Sequence, residues 1–134
     1  MTGLPPAEDG APLGLLTDLY ELRMAQTYLL EGMTAPATFT LYIRPDARRP
    51  WWLAAGTGSA IEVLDRFRYD AAEIDYLAKN LDLSDDFLGW LAELEPHGEL
   101  WAVDDGTVVL GDEPFLEITA SLPFAQLLET ALLS

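Results

Sequence analysis

The sequence has no cysteine, a single histidine, and seven Lys and Arg against 23 Asp and Glu. Each scarcity removes a class of function. Without cysteine there is no disulfide framework, no thiolate metal site and no thiol nucleophile. A net charge of −16 opposes binding to a nucleic-acid backbone, since phosphate is repelled by such a surface. Its plainest role is solubility. No apolar run approaches the ~18 residues that a membrane span requires. The opening stretch MTGLPPAEDGAP carries two acids and no basic segment, so it does not read as a secretory signal. It reads as a flexible leader over residues 1–14, and a cytoplasmic protein is expected. The lone histidine, His97, lies between Pro96 and Gly98, which suits a loop better than a general base.

What is present fits one domain with a core, because half of the 134 residues are apolar. Asp18 and Glu21 have capping-box spacing and open a helix running to Gly32, with Leu19, Leu22, Leu29 and Met33 inward. The stretch TFTLYIR alternates, Phe39, Leu41 and Ile43 on one face and Thr40, Tyr42 and Arg44 on the other, as a half-buried strand does. WWLAAG is a second strand, ended by Gly56. Capping boxes at Ser59 and Glu62 and at Asp70 and Glu73 predict two helices, and Ser84 opens a third. The first would bury Ile61, Leu64 and Phe67. Beyond Pro96 the period changes to short strands in ELWAV, TVVL and FLEIT, punctuated by DDG and GDEP. Pro123 starts a last helix. Its Leu127, Leu128, Leu132 and Leu133 have no assured partner within the chain, so exposed apolar surface is expected there. The pattern predicts an α+β fold, with residues 15–122 as the domain and residues 123–134 as the start of a further helix.

Candidates for chemistry are few. Three arginines, Arg44, Arg48 and Arg49, gather in YIRPDARRP, and the guanidinium fork suits phosphate. The carboxylate pairs (Asp85 and Asp86, Asp104 and Asp105, Asp112 and Glu113) sit at caps or turns. GTGS at 56–59 precedes a helix and could offer amides to an anion, but it lacks the lysine of a phosphate-binding P-loop. Tyr20, in the first turn of the first helix, is either a core residue or a ring that faces a ligand.

The stretch LLTDLYELRMAQTYLLEGM, followed by ATFTLYIR and LAAG, closely resembles the opening of nicotinate phosphoribosyltransferases. LDRFRY, EIDYL, FLGWL, GELWAVDDGTVVLGDEPFLEI and AQLLET agree in order and spacing, so the likeness covers Leu15 to the end. Departures are modest: Asp105 stands where the family has glutamate, and the loop after Arg44 is short and bounded by prolines. The resemblance implies the N-terminal α/β segment of a type II phosphoribosyltransferase. In that family a TIM-like barrel follows, a design of ~250 residues that is absent from this sequence.

It further implies a homodimeric enzyme that joins nicotinate to phosphoribosyl pyrophosphate, with Mg²⁺ and ATP hydrolysis through a phosphohistidine. Tyr20 matches the tyrosine that stacks on the nicotinate ring in a partner subunit's site, and Arg44 the arginine that reaches phosphate. His97 does not match the phosphohistidine. No catalytic residue or metal ligand is implied within these residues, and the 134-residue chain alone is expected to be inactive. The competing expectation is a non-catalytic binding or dimerisation module of the same ancestry.

Overall fold

Asp18, itself extended after a turn at residues 14–17, caps helix α1 (Leu19–Leu30), in a computed structural model that describes residues 12–134. The Glu21 carboxylate accepts the Asp18 N–H at 3.2 Å, closing the expected capping box. At the other end Gly32 takes φ 70°, and Met33 N–H reaches Tyr28 O at 2.7 Å. That is the Schellman ending, which needs a left-handed residue. Leu22 and Ala25 are buried. Leu19 and Met33, expected inward, are 45% and 49% exposed. They occupy the first helical position and the residue past the glycine, each outside the buried face centred on Leu22 and Ala25.

The fold is α+β, as the pattern predicts. Strand β1 (Pro36–Tyr42) pairs antiparallel with β5 (Pro114–Ser121), which also pairs antiparallel with β3 (Glu99–Ala102). The sheet order is β1-β5-β3. Phe39, Leu41 and Ile43 alternate with exposed residues as expected, and Leu116, Ile118 and Ala120 fill the inner face of β5. A register shift between Leu41 and Tyr42 turns the strand end away from regular pairing. Strands β2 (Trp51–Leu53) and β4 (Val108–Leu110) form a separate antiparallel pair. Its Trp51, Leu53, Val108 and Leu110 are exposed.

Helix α2 (Thr57–Arg66) begins before the predicted cap, with Gly56 at φ 100° in the capping position. Ser59 lies inside the helix, so the predicted Ser59–Glu62 box does not open it. Asp105, 48 residues away, supplies the cap: its Oδ1 accepts the Thr57 N–H at 3.0 Å. Sequence spacing cannot show a cap that tertiary structure delivers. Ile61 is 47% exposed, whereas Phe67, just past the helix, is fully buried. Helices α3 (Ala71–Asn80) and α4 (Asp85–Ala92) start at Asp70 and Ser84 as expected.

The last predicted helix is two: α5 (Leu122–Leu127) and α6 (Glu129–Leu133). Thr130 N–H is directed to Glu21 Oε1 at 3.0 Å instead of to a carbonyl of the preceding turn, which interrupts the ladder at Leu128. Helix α5 packs on α1 and on strands β1 and β5, and α6 meets α2. The predicted apolar stripe is therefore largely covered. Leu127 and Leu128 are fully buried in a core with Phe67, Phe87 and Phe124, Leu132 packs against it, and Leu133 is 62% exposed.

Residues 1–11 of the predicted leader lie outside the described residues. Its end is bound: Leu13 N–H and Gly14 N–H donate to Arg66 O and Arg68 O at 3.2 and 3.0 Å. Gly14 lies so close to Tyr69 that a Cβ there would stand 2.5 Å from the ring.

Candidate functional site

The capped start of α1 presents Tyr20 outward. The residue is 46% exposed and lies outside the buried core of this chain. The pKa of its hydroxyl lies well above the ordinary phenol range. Desolvation is the first cause, followed by the carboxylates of Glu129 and Glu21. A phenol so placed stays neutral at physiological pH and offers a ring face with one hydroxyl donor.

Arg44 stands two residues beyond β1, past the register shift and directly after Ile43, whose carbonyl accepts the Asp112 N–H at 2.9 Å. It lines a cleft of about 410 Å³ whose walls include Phe39, Tyr42, Ile118, Glu129 and Leu132. Among the described residues Arg44 forms no ion pair, whereas Arg48 pairs with Asp46 at 3.5 Å. An exposed guanidinium without a carboxylate partner is available to an anion. Tyr20 is not among the residues lining this cleft. Glu129 is the neighbour they have in common, since it lines the cleft and its carboxylate acts on the Tyr20 hydroxyl.

The other sequence candidates have structural partners. The Thr57 amide of GTGS is taken by Asp105, whose pKa is lowered first by that backbone hydrogen bond. Thr57 Oγ1 also donates to Val103 O at 3.1 Å. A resident carboxylate thus occupies the place an anion would take. His97 stacks on Phe124 with centroids 4.5 Å apart, and its ring nitrogens meet Glu95 O at 3.0 Å and Ser121 Oγ at 2.8 Å. It joins the loop to the start of α5. Among the described residues no group of three or more His, Asp or Glu converges to hold a metal ion. No helix is long and apolar enough to cross a membrane.

Sequence reasoning missed the buried role of Glu21. Its position in the capping box announces a first-turn carboxylate, but the same side chain also takes both donors of Thr130, 109 residues away.

The fold and these residues define an α+β domain that presents an aromatic ring and a free arginine at neighbouring surfaces. Residues 15–134 match the model of the nicotinate phosphoribosyltransferase (NAPRTase) N-terminal domain, and the chain belongs to that family. It is 40% identical over 121 residues to nicotinate phosphoribosyltransferase pncB2 of Mycobacterium tuberculosis, covering 90% of this chain and 26% of that protein. Against the Bacillus subtilis nicotinate phosphoribosyltransferase it is 37% identical over 127 residues, covering 91% of this chain and 25% of that one. A crystal structure of human nicotinic acid phosphoribosyltransferase superposes with a TM-score of 0.78 at 32% identity, over 87% of this chain and 24% of the human one. The chain thus spans about a quarter of the length of the curated relatives it matches.

Proposed function

We propose that this chain acts as the N-terminal part of a nicotinate phosphoribosyltransferase. The complete enzyme would make nicotinate mononucleotide and pyrophosphate from nicotinate and phosphoribosyl pyrophosphate, with ATP hydrolysis, in cytoplasmic NAD synthesis. The family match over residues 15–134 carries the reading. The exposure of Tyr20 supports it. Nicotinate is a flat ring bearing a carboxylate, and a neutral phenol ring at a rigid helix start is a fitting platform for its face. Arg44, free of an ion pair at the mouth of the cleft, suits a phosphate group of the second substrate.

Tyr20 and Arg44 do not line one cleft within a single chain. A homodimer in which each chain lends Tyr20 to its partner's site is part of this reading and rests on the family likeness. Mg²⁺ would offset charge on the departing pyrophosphate, but the described residues do not form a site for it.

The test is turnover by the complete enzyme with nicotinate, nicotinamide and quinolinate in parallel. Nicotinate mononucleotide should form from nicotinate and phosphoribosyl pyrophosphate, faster than product from the other two bases. Absence of turnover with all three would turn the reading toward a non-catalytic module. Mixed dimers of Tyr20→Ala subunits with subunits inactivated elsewhere should recover one working site. If the subunits exchange and no activity returns, Tyr20 does not serve a shared site.

A further inference from the structure

Among the described residues two polar or charged side chains are buried, Glu21 at 0% exposure and Gln126 at 3%. Such groups cost stability unless their hydrogen bonds are made, so their location carries information. Glu21 follows Tyr20 in the chain, and Gln126 is linked to it through Glu129. Glu21 Oε2 accepts from Asp18 N–H at 3.2 Å and from the Thr17 hydroxyl. Glu21 Oε1 accepts from Thr130 N–H at 3.0 Å and from the Thr130 hydroxyl at 2.6 Å. Gln126 Nε2 donates to Glu129 Oε2 at 2.8 Å, and Glu129 is the carboxylate nearest in effect to the Tyr20 hydroxyl. Two chain-adjacent pairs result. Buried Glu21 bonds to half-buried Thr130, and their chain neighbours are the exposed Tyr20 and the half-buried Glu129.

We propose that Glu21 and Thr130 are positioning residues for Tyr20, a clamp from a buried carboxylate to a half-buried threonine that fixes the first turn of α1 against α6 and so sets the direction of the ring. The proposal rests on the reading of Tyr20 as a ligand platform. With 46% of Tyr20 exposed, packing around the side chain fixes its direction only in part. Holding its backbone from beneath fixes where the side chain leaves the helix before a ligand arrives, which favours stacking. The clamp is made at the expense of regular helix, since Thr130 N–H leaves the ladder at Leu128 to reach Glu21. A link that only tied two helices together could use apolar contacts, as Leu127 and Leu128 do beside it.

The test uses Thr130→Val, which keeps the shape and loses the hydroxyl bond, and Thr130→Ser, which keeps the bond. In the complete enzyme, Thr130→Val should raise KM for nicotinate about fivefold, the equivalent of one hydrogen bond. KM for phosphoribosyl pyrophosphate should stay unchanged, and Thr130→Ser should behave as the parent. In a Tyr20→Ala background Thr130→Val should add nothing further to KM for nicotinate. Independently of turnover, fluorotyrosine placed at position 20 of this chain should give a shifted or broadened ¹⁹F line in Thr130→Val but not in Thr130→Ser. An unmoved line overturns the clamp whatever Tyr20 binds. A rise in both KM values that follows a lowered melting temperature also overturns it, leaving a merely structural link. If Tyr20→Ala itself leaves KM for nicotinate unchanged, the platform reading fails, and the ¹⁹F line still judges the clamp.

Discussion

Truncating Tyr20 to alanine separates a ligand platform from a core residue, because the two roles move different measurements. An aromatic side chain buries roughly 150–250 Å² when enclosed. With 46% of Tyr20 left exposed, about 100 Å² is covered, worth at most ~2.5 kcal/mol at about 25 cal/mol per Å². Partial compaction of the unfolded chain lowers this to ~1.5–2 kcal/mol. Alanine then returns about 0.5 kcal/mol through its better helix propensity in α1. The net loss should be about 1–1.5 kcal/mol, against about 3–5 kcal/mol for Phe124→Ala in the closed core. Urea unfolding of the two variants beside the parent gives both numbers. In the complete enzyme Tyr20→Ala should raise KM for nicotinate about tenfold or more, equivalent to ~1.4 kcal/mol of lost ring contact. Tyr20→Phe should keep most activity, since the ring face is preserved. A stability loss above about 3 kcal/mol, with KM for nicotinate unchanged, would refute the reasoning.

Arg44→Ala should weaken phosphoribosyl pyrophosphate rather than nicotinate, and more steeply than Arg48→Ala, because Arg48 is held by Asp46 while Arg44 is free at the cleft. Equal KM effects of the two substitutions would remove the special role of Arg44. Asp105 has a lowered folded pKa, so its capping contribution is present above the ordinary Asp value of about 3.9 and fades as pH falls through the lower folded value. Asp105→Asn should therefore melt below the parent at neutral pH, with the gap narrowing in acid below about pH 4; a gap independent of pH would contradict the cap. Gly98 and Gly106 both have positive φ, 118° and 87°, but a Cβ at Gly98 would stand 2.5 Å from Thr119 O while Gly106 faces open space. Gly106→Ala should cost about 1–2 kcal/mol from φ alone, and Gly98→Ala distinctly more; equal unfolding midpoints would show that the backbone near β5 yields.

Helix starts capped from within their own first turn were legible in the sequence. Asp18 with Glu21, Asp70 with Glu73, and Ser84 before Phe87 each place acceptor and donor three residues apart, and no distant residue is needed to make that bond. The alternation of β1 and the glycine ending of α1 were legible for the same reason. The likeness to a known family likewise rests on residue order alone, and with it the interest in Tyr20 and Arg44.

Tertiary structure decided what depends on residues far apart in the chain. The start of α2 is set by Asp105 across 48 residues, so the local Ser59–Glu62 spacing pointed to the wrong turn. The break at Leu128 is set by Glu21 across 109 residues, in a stretch whose composition favours an unbroken helix. The separation of β2 and β4 from the β1-β5-β3 sheet follows from pairing, which hydrophobic pattern does not encode. Tyr20 shows the division most plainly. Its helix, cap and register could be read from its neighbours, but its exposure depends on where α5 and α6 pack, and a buried carboxylate beside it holds that arrangement.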